Sequence, residues 1–365
     1  MMVTNATECD RDVKLLLLAK KIRNMTYVYE TSYFKELEDS DYVKFFACVL
    51  LMIGGLIGNI SVLLTVALNR SKRSTINYYM VNLAVVDALI CIFCVGTHSF
   101  EILTNYFPLG SFMCKFNTFM KMFCLLNSVL TLSAISCDRF IAIMFPLHVR
   151  ITKQRTSIVM QIIWVISIFV SLPFMFIKKL LLFEWKNFVQ PVCAELWPTI
   201  SYYDEDLHKC VHIEQYRFSY YVLACSIALY IIPVVVMITA YSLILWKLWI
   251  SEVPGERHEA NINVQNRARK KVIKMVVVVL IAFIICSTPM QINIYIAALH
   301  GRAPIDEWIL EYKWVSNYLV FANSFINPII FGVFNKTFTD GFCIMLKCGY
   351  RRDRVTQNRE MIALQ

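Results

Sequence analysis

Residues 76–102 read INYYMVNLAVVDALICIFCVGTHSFEI, and up to Glu101 the only carboxylate among them is Asp87. A membrane-spanning helix needs about 20 mostly apolar residues, and this run exceeds that length. Working outward, six more segments qualify: 42–68, 112–145, 156–177, 218–248, 272–299 and 312–334. The fold expected is an all-α membrane protein, a bundle of seven transmembrane helices. It divides the chain into an N-terminal tail (1–41), a membrane domain (42–334) and a C-terminal segment (335–365). No internal repeat is visible.

Composition agrees. Of 365 residues, 58% are hydrophobic and only 17% charged, with a mean hydropathy of +0.56. A soluble domain would carry roughly 25% charged residues, so the apolar surplus here must face lipid. The net charge of +10 is divided by apolar segments into short clusters, which fits a membrane topology and argues against nucleic acid. Most of the thirteen cysteines lie inside apolar runs; Cys48, Cys91, Cys94, Cys124, Cys137, Cys225 and Cys286 read as small buried hydrophobes. Cys9, Cys114, Cys193 and Cys210 fall outside the membrane, where three pairings are open to them.

Orientation follows from the short loops, because Lys and Arg mark the cytoplasm. Arg70, Lys72 and Arg73 follow the first span, Arg150, Lys153 and Arg155 the third, and Arg267, Arg269, Lys270 and Lys271 precede the sixth. The stretch 103–111 has no basic residue. The N-terminus is therefore expected outside, where the sequons at Asn5 and Asn24 are open to glycosylation. The apolar run 15–19 is too short for a signal h-region, so the first span is expected to direct insertion.

Polar groups at membrane depth are costly and need a partner or a task. Asn59, Asn82, Asp87, Lys121, Asn127, Ser128, Asn323, Ser324 and Asn327 lie in spans one, two, three and seven, so a polar centre shared by these four spans is expected. Asp138-Arg139 sits at the inner end of the third span; alone it reads as a snorkelling arginine with its counter-ion. Pro233, Pro289 and Pro328 each break a backbone hydrogen bond inside a span, which suits helices that hinge between two packings.

Together these residues resemble the rhodopsin-like G-protein-coupled receptors, from about Phe45 to Phe342. The marks are Gly58-Asn59, Asn82-Leu-Ala-Val-Val-Asp87, Cys114 placed 25 residues before Arg139, Trp164, Pro233 with Tyr241, Phe283 with Pro289, and Asn327-Pro328. The resemblance implies a disulfide between Cys114 and Cys193. It gives Asp138, Arg139, Tyr241, Asn327, Pro328 and Phe331 roles in activation, with Arg139 meeting a heterotrimeric G protein when the sixth span swings outward. It also implies a sodium pocket made by Asp87, Ser128, Asn323 and Asn327. The segment 335–346 is similar to the family's amphipathic eighth helix, its apolar stripe facing membrane lipids, with Cys343 and Cys348 as palmitoylation candidates. Beyond residue 334 there is no serine, and the only threonines are Thr337, Thr339 and Thr356, a poor phosphate cluster for arrestin.

Lys121 stands where amine receptors of the family carry an aspartate, and Phe321 where opsins carry lysine. The stretch Cys193-Ala-Glu195-Leu-Trp197-Pro198 resembles neuropeptide receptors of the neuropeptide FF, neuropeptide Y and orexin type, which implies an extracellular peptide ligand. Lys121, Glu195 and Trp197 are its candidate contacts. Lys121 either pairs with an acid such as Glu101 or takes an acidic group of the ligand. A receptor of this fold for a lipid or small ligand is the alternative. A transporter would show matched broken repeats, and an intramembrane enzyme would need a metal or catalytic cluster that the sequence does not suggest. Phe140, Ser287, Phe331 and Arg269 depart from the family's activation positions, with Ser287 replacing a tryptophan and Phe331 a tyrosine.

Overall fold

Inside a hydrocarbon layer a backbone amide finds no water, so a lone segment satisfies its own hydrogen bonds only as a helix. The computed structural model describes residues 37–68, 75–104, 106–145, 153–184, 189–195, 199–204, 209–214, 216–250, 260–300, 307–334 and 338–339. Seven helices among them are long and apolar enough to cross a membrane: Asp39–Leu68, Thr75–Thr104, Gly110–Met144, Gln154–Phe176, Leu223–Lys247, Lys271–Ile296 and Glu311–Phe334. All seven expected spans are present, with ends shifted by a few residues.

The second, third and seventh spans are the most buried, and the fourth and fifth the most exposed. Exposed positions on the spans are largely apolar, Leu50, Ile57, Phe169, Ile232 and Val333 among them. Buried positions include Asn59, Asp87, Asn127, Ser324 and Asn327. This inversion of the soluble pattern places the polar chemistry on the bundle axis. The inner half of the axis is closed by an apolar cluster that joins Ile135, Tyr241, Ile244, Ile273, Val276, Val279, Phe283 and Phe331. The sixth span is therefore packed inward against the third, fifth and seventh.

Small residues let the first span approach its neighbours closely. A Cβ on Gly58 would lie 2.8 Å from Cβ of Pro328, and one on Gly55 would lie 2.6 Å from Sγ of Cys91. At the outer edge Lys44 pairs with Glu311 at 2.7 Å and stands 5.5 Å from the ring of Trp314, tying the first span to the seventh. At the inner edge Nζ of Lys247 donates to the carbonyls of Ile143 and Met144, at 3.1 and 3.2 Å, covering the C-terminus of the third span.

Two spans contain π-helical turns, Ile90–Val95 in the second and Ile227–Ile231 in the fifth. Pro289 and Pro328 lie inside the sixth and seventh helices. The segment between spans four and five forms two antiparallel hairpins. Strands β1 (Lys178–Glu184) and β2 (Val189–Glu195) pair so that Lys178 faces Glu195. Strands β3 (Thr199–Asp204) and β4 (Lys209–Glu214) pair so that Asp204 faces Lys209.

The expected eighth helix, apart from Phe338 and Thr339, lies outside the described residues, as do Cys343, Cys348, Asn5, Asn24 and Cys9. Phe338 is fully buried, its ring 6.1 Å from that of Phe331.

Candidate functional site

At the outer mouth Cys114 and Cys193 are joined as a disulfide, which fixes β2 to the start of the third span. The amide of Phe107 donates to the carbonyl of Pro191 at 2.8 Å, a second tether from the first outer loop. Glu195 ends β2 with its side chain outside the described set, and Trp197 lies outside it altogether.

Beneath this hairpin Lys121 reaches from the third span to the seventh, donating to Oδ1 of Asn317 and lying 5.8 Å from the ring of Phe321. Glu101 instead faces His98, at 3.5 Å, and the His98 ring lies 5.7 Å from Phe321. The expectation of a Lys121–Glu101 pair therefore gives way to two cross-span contacts around one phenylalanine. Nε2 of His98, Oδ1 of Asn117 and Nε1 of Trp314 are buried without a hydrogen-bond partner among the described residues.

Deeper in, the expected polar centre is split in two. In one part Asn327 donates to Oδ2 of Asp87 at 2.8 Å, and Asn59 donates to the carbonyls of Gly55 and Ser324, both at 2.9 Å. Here spans one, two and seven meet. Oδ1 of Asp87, Oδ1 of Asn323, Oγ of Ser324 and Oδ1 of Asn327 are all buried and close no geometric hydrogen bond, although Ser324 lies beside Asp87. Ser128 is buried on the third span. In the other part Asn82 donates to Asn127 and to Thr131, each at 2.8 Å, and accepts from the indole of Trp164 at 2.6 Å. Sequence reasoning used Trp164 only as a family mark. Its position among apolar residues gives no hint that its one N–H anchors the fourth span to the second, while its ring packs on Phe123 of the third.

At the inner end Asp138 and Arg139 are half-buried, with Tyr79 of the second span beside the carboxylate. Oδ2 of Asp138 and Nε of Arg139 have no hydrogen-bond partner among the described residues. Tyr241 is buried, and its hydroxyl lies near Ser136 and Arg139 without closing a hydrogen bond.

Residues 58–331 match the family model described as 7 transmembrane receptor (rhodopsin family). The chain is 28% identical over 320 residues to a QRFP-like peptide receptor of Branchiostoma floridae, covering 85% of this chain and 80% of that one. It is 26% identical to the substance-P receptor of Mus musculus, covering 83% and 70%. It is 30% identical to the allatostatin-A receptor of Bombyx mori, covering 81% and 77%. The match spans all the residues that build the mouth, the polar centre and the inner pair, except the outer part of the first span. The chain belongs to the rhodopsin family of seven-transmembrane receptors.

Proposed function

We propose that this chain is a plasma-membrane receptor, N-terminus outside, that binds an extracellular peptide and activates a heterotrimeric G protein. One observation carries the reading: polar side chains run along the bundle axis from Lys121–Asn317, through Asp87–Asn327, to Asp138–Arg139. These polar sites, separated on the inner half by the apolar cluster and flanked by helices that carry Pro289 and Pro328, suit coupling between an outer ligand and an inner partner. The peptide receptors among its relatives, named above for what they bind, support a peptide ligand here.

In this reading the ligand rests beneath the β1–β2 hairpin against Lys121, with Glu195 and Trp197 at the rim. The inner ends separate, and Arg139 exchanges its present neighbours for the G protein. The oxygens of Asp87, Asn323 and Asn327, with the hydroxyl of Ser128, form an oxygen-only donor set of the kind hard cations take. Three of those groups have a buried oxygen with no hydrogen-bond partner among the described residues, so the residues fit the sodium ion that the family implies. When bound, the ion would neutralise Asp87.

The test is a peptide library applied to cells that express the chain with a promiscuous G protein, followed by nucleotide exchange on purified components. A peptide that accelerates exchange supports the reading. Peptides that bind the purified receptor tightly yet never accelerate exchange would overturn it.

A further inference from the structure

The sixth span is gripped at Pro289 from both sides, by hydrogen bonds whose side chains have no role assigned above. From the fifth span, Tyr230 meets Thr288 at 2.9 Å. One helical turn further out, Ser226 donates to Oε1 of Gln291 at 2.5 Å and meets the hydroxyl of Tyr295 at 2.8 Å. From the seventh span, Tyr312 donates to the carbonyl of Pro289 at 3.0 Å.

The directions of these bonds follow from proton counting. A hydroxyl has one hydrogen. Thr288 spends its own on the carbonyl of Ile284, at 2.7 Å, so Tyr230 is the donor in their contact. Ser226 spends its hydrogen on Gln291, so Tyr295 donates to Ser226. Every member is thus fixed in one orientation, in the chain Tyr295 to Ser226 to Gln291 and the pair Tyr230 to Thr288. Ser226, Gln291 and Thr288 lie among buried residues or close to them.

The positions are no accident of one helix. Thr288, Gln291 and Tyr295 are spaced three and four apart on one face of the sixth span. Ser226 immediately precedes the π-helical turn Ile227–Ile231 of the fifth, and Tyr230 lies within it. Such turns are frequent at functional sites. Pro289 has removed one backbone bond from the sixth span, and the side chain of Thr288 bonded to Ile284 favours bending there too. The helix is therefore weakest at the place where its neighbours hold it.

We infer that Ser226, Tyr230, Thr288, Gln291, Tyr295 and Tyr312 are the positioning residues of the sixth span. They form a clasp that holds its inner half packed against Ile135, Tyr241 and Ile244, in a chain whose Ser287 stands at the family's tryptophan. The inference rests on the receptor reading above and identifies where the ligand acts. Ser226, Gln291 and Tyr295 make the part of the clasp that lies on the outer side of Pro289; all are uncharged and together donate and accept. The ligand group that opens it is therefore an uncharged one that does both, such as a peptide amide or a hydroxyl. By taking over the bonds of Ser226 and Gln291 it releases Tyr295, and the hinge loses its outer hold.

The test needs no ligand. Spectroscopic labels placed by stop-codon suppression at exposed Lys271 and Arg155 report the displacement of the inner end of the sixth span in purified receptor in lipid. Tyr230→Phe, Thr288→Val, Tyr295→Phe and Tyr312→Phe each remove a clasp bond with little change in volume. Each is expected to raise the outward-displaced population about five-fold, the effect of one lost net hydrogen bond. Thr288→Ser, which keeps the hydroxyl, is expected to match the parent and serves as the folded control. Unchanged distances in Tyr230→Phe and Thr288→Val, with Thr288→Ser folded, would overturn the clasp. Basal nucleotide exchange on a G protein is measured alongside. If the distances shift and exchange does not, the clasp stands and the G-protein reading fails.

Discussion

Phe331 lies in the inner apolar cluster with Tyr241, only 1% exposed, and its ring packs against Phe338. Replacing it, as Phe331→Tyr, adds one hydroxyl and nothing else. In the packed arrangement that hydroxyl enters a cluster of aliphatic and aromatic carbons, where a buried polar group without a partner costs about 1–3 kcal/mol. The hydroxyl of Tyr241, also buried and without a hydrogen bond, is the polar group it can meet once the sixth span moves and water enters. A direct or water-bridged bond there contributes about 1 kcal/mol to the open arrangement. The two effects act in the same direction. Their sum, at least about 2 kcal/mol, shifts the packed–open equilibrium by roughly thirty-fold. The assay is basal nucleotide exchange by a G protein on purified receptor in lipid, with folded receptor matched between variants. Phe331→Tyr is expected to exceed the parent, and Phe331→Leu, which removes packing without adding a hydroxyl, controls for loosened contacts. Basal exchange equal to or below that of the parent would refute the reasoning, because the hydroxyl would then be satisfied in the packed arrangement.

Removing the outer disulfide with Cys114→Ser frees β2 from the third span and is expected to cost about 2–4 kcal/mol, read as a lower thermal midpoint of the purified receptor. Peptide mapping that joined Cys114 to Cys210 would contradict the pairing. Gly58→Val drives a methyl group into Pro328, a rigid neighbour, so overpacking of about 1–3 kcal/mol is expected; an unchanged midpoint would show that the first span yields. Asp87→Asn removes the carboxylate of the oxygen cluster and should abolish any difference in thermal midpoint between sodium chloride and N-methylglucamine chloride. A sodium effect that survived the change would place the ion elsewhere.

The spans were legible because lipid leaves a chain few options: an apolar run of sufficient length has to be a helix, and its polar members have to find one another. That logic picked out Asn59, Asp87, Asn323 and Asn327 before their contacts were known. It missed groups that do not look polar in an apolar run. Trp164 carries a single N–H, and Ser226, Tyr230 and Thr288 are ordinary in a membrane helix, so their hydrogen bonds emerge only when the spans are set side by side. The π-helical turns were invisible because one extra residue leaves the hydropathy unchanged. Lys121 was recognised as unusual but given Glu101 as its possible partner, whereas Asn317 is brought to it from 196 positions away. The hairpins were missed because β1 and β2 are short, and their pairing depends on the Cys114 tether.

The central claim is that signals entering at the outer mouth leave through Arg139. Its most direct test is agonist-driven nucleotide exchange by a heterotrimeric G protein on the purified receptor, comparing the parent with Arg139→Ala. The parent should accelerate exchange, and Arg139→Ala should bind the same peptide, reach the cell surface normally and accelerate nothing. Full exchange by Arg139→Ala would contradict the account.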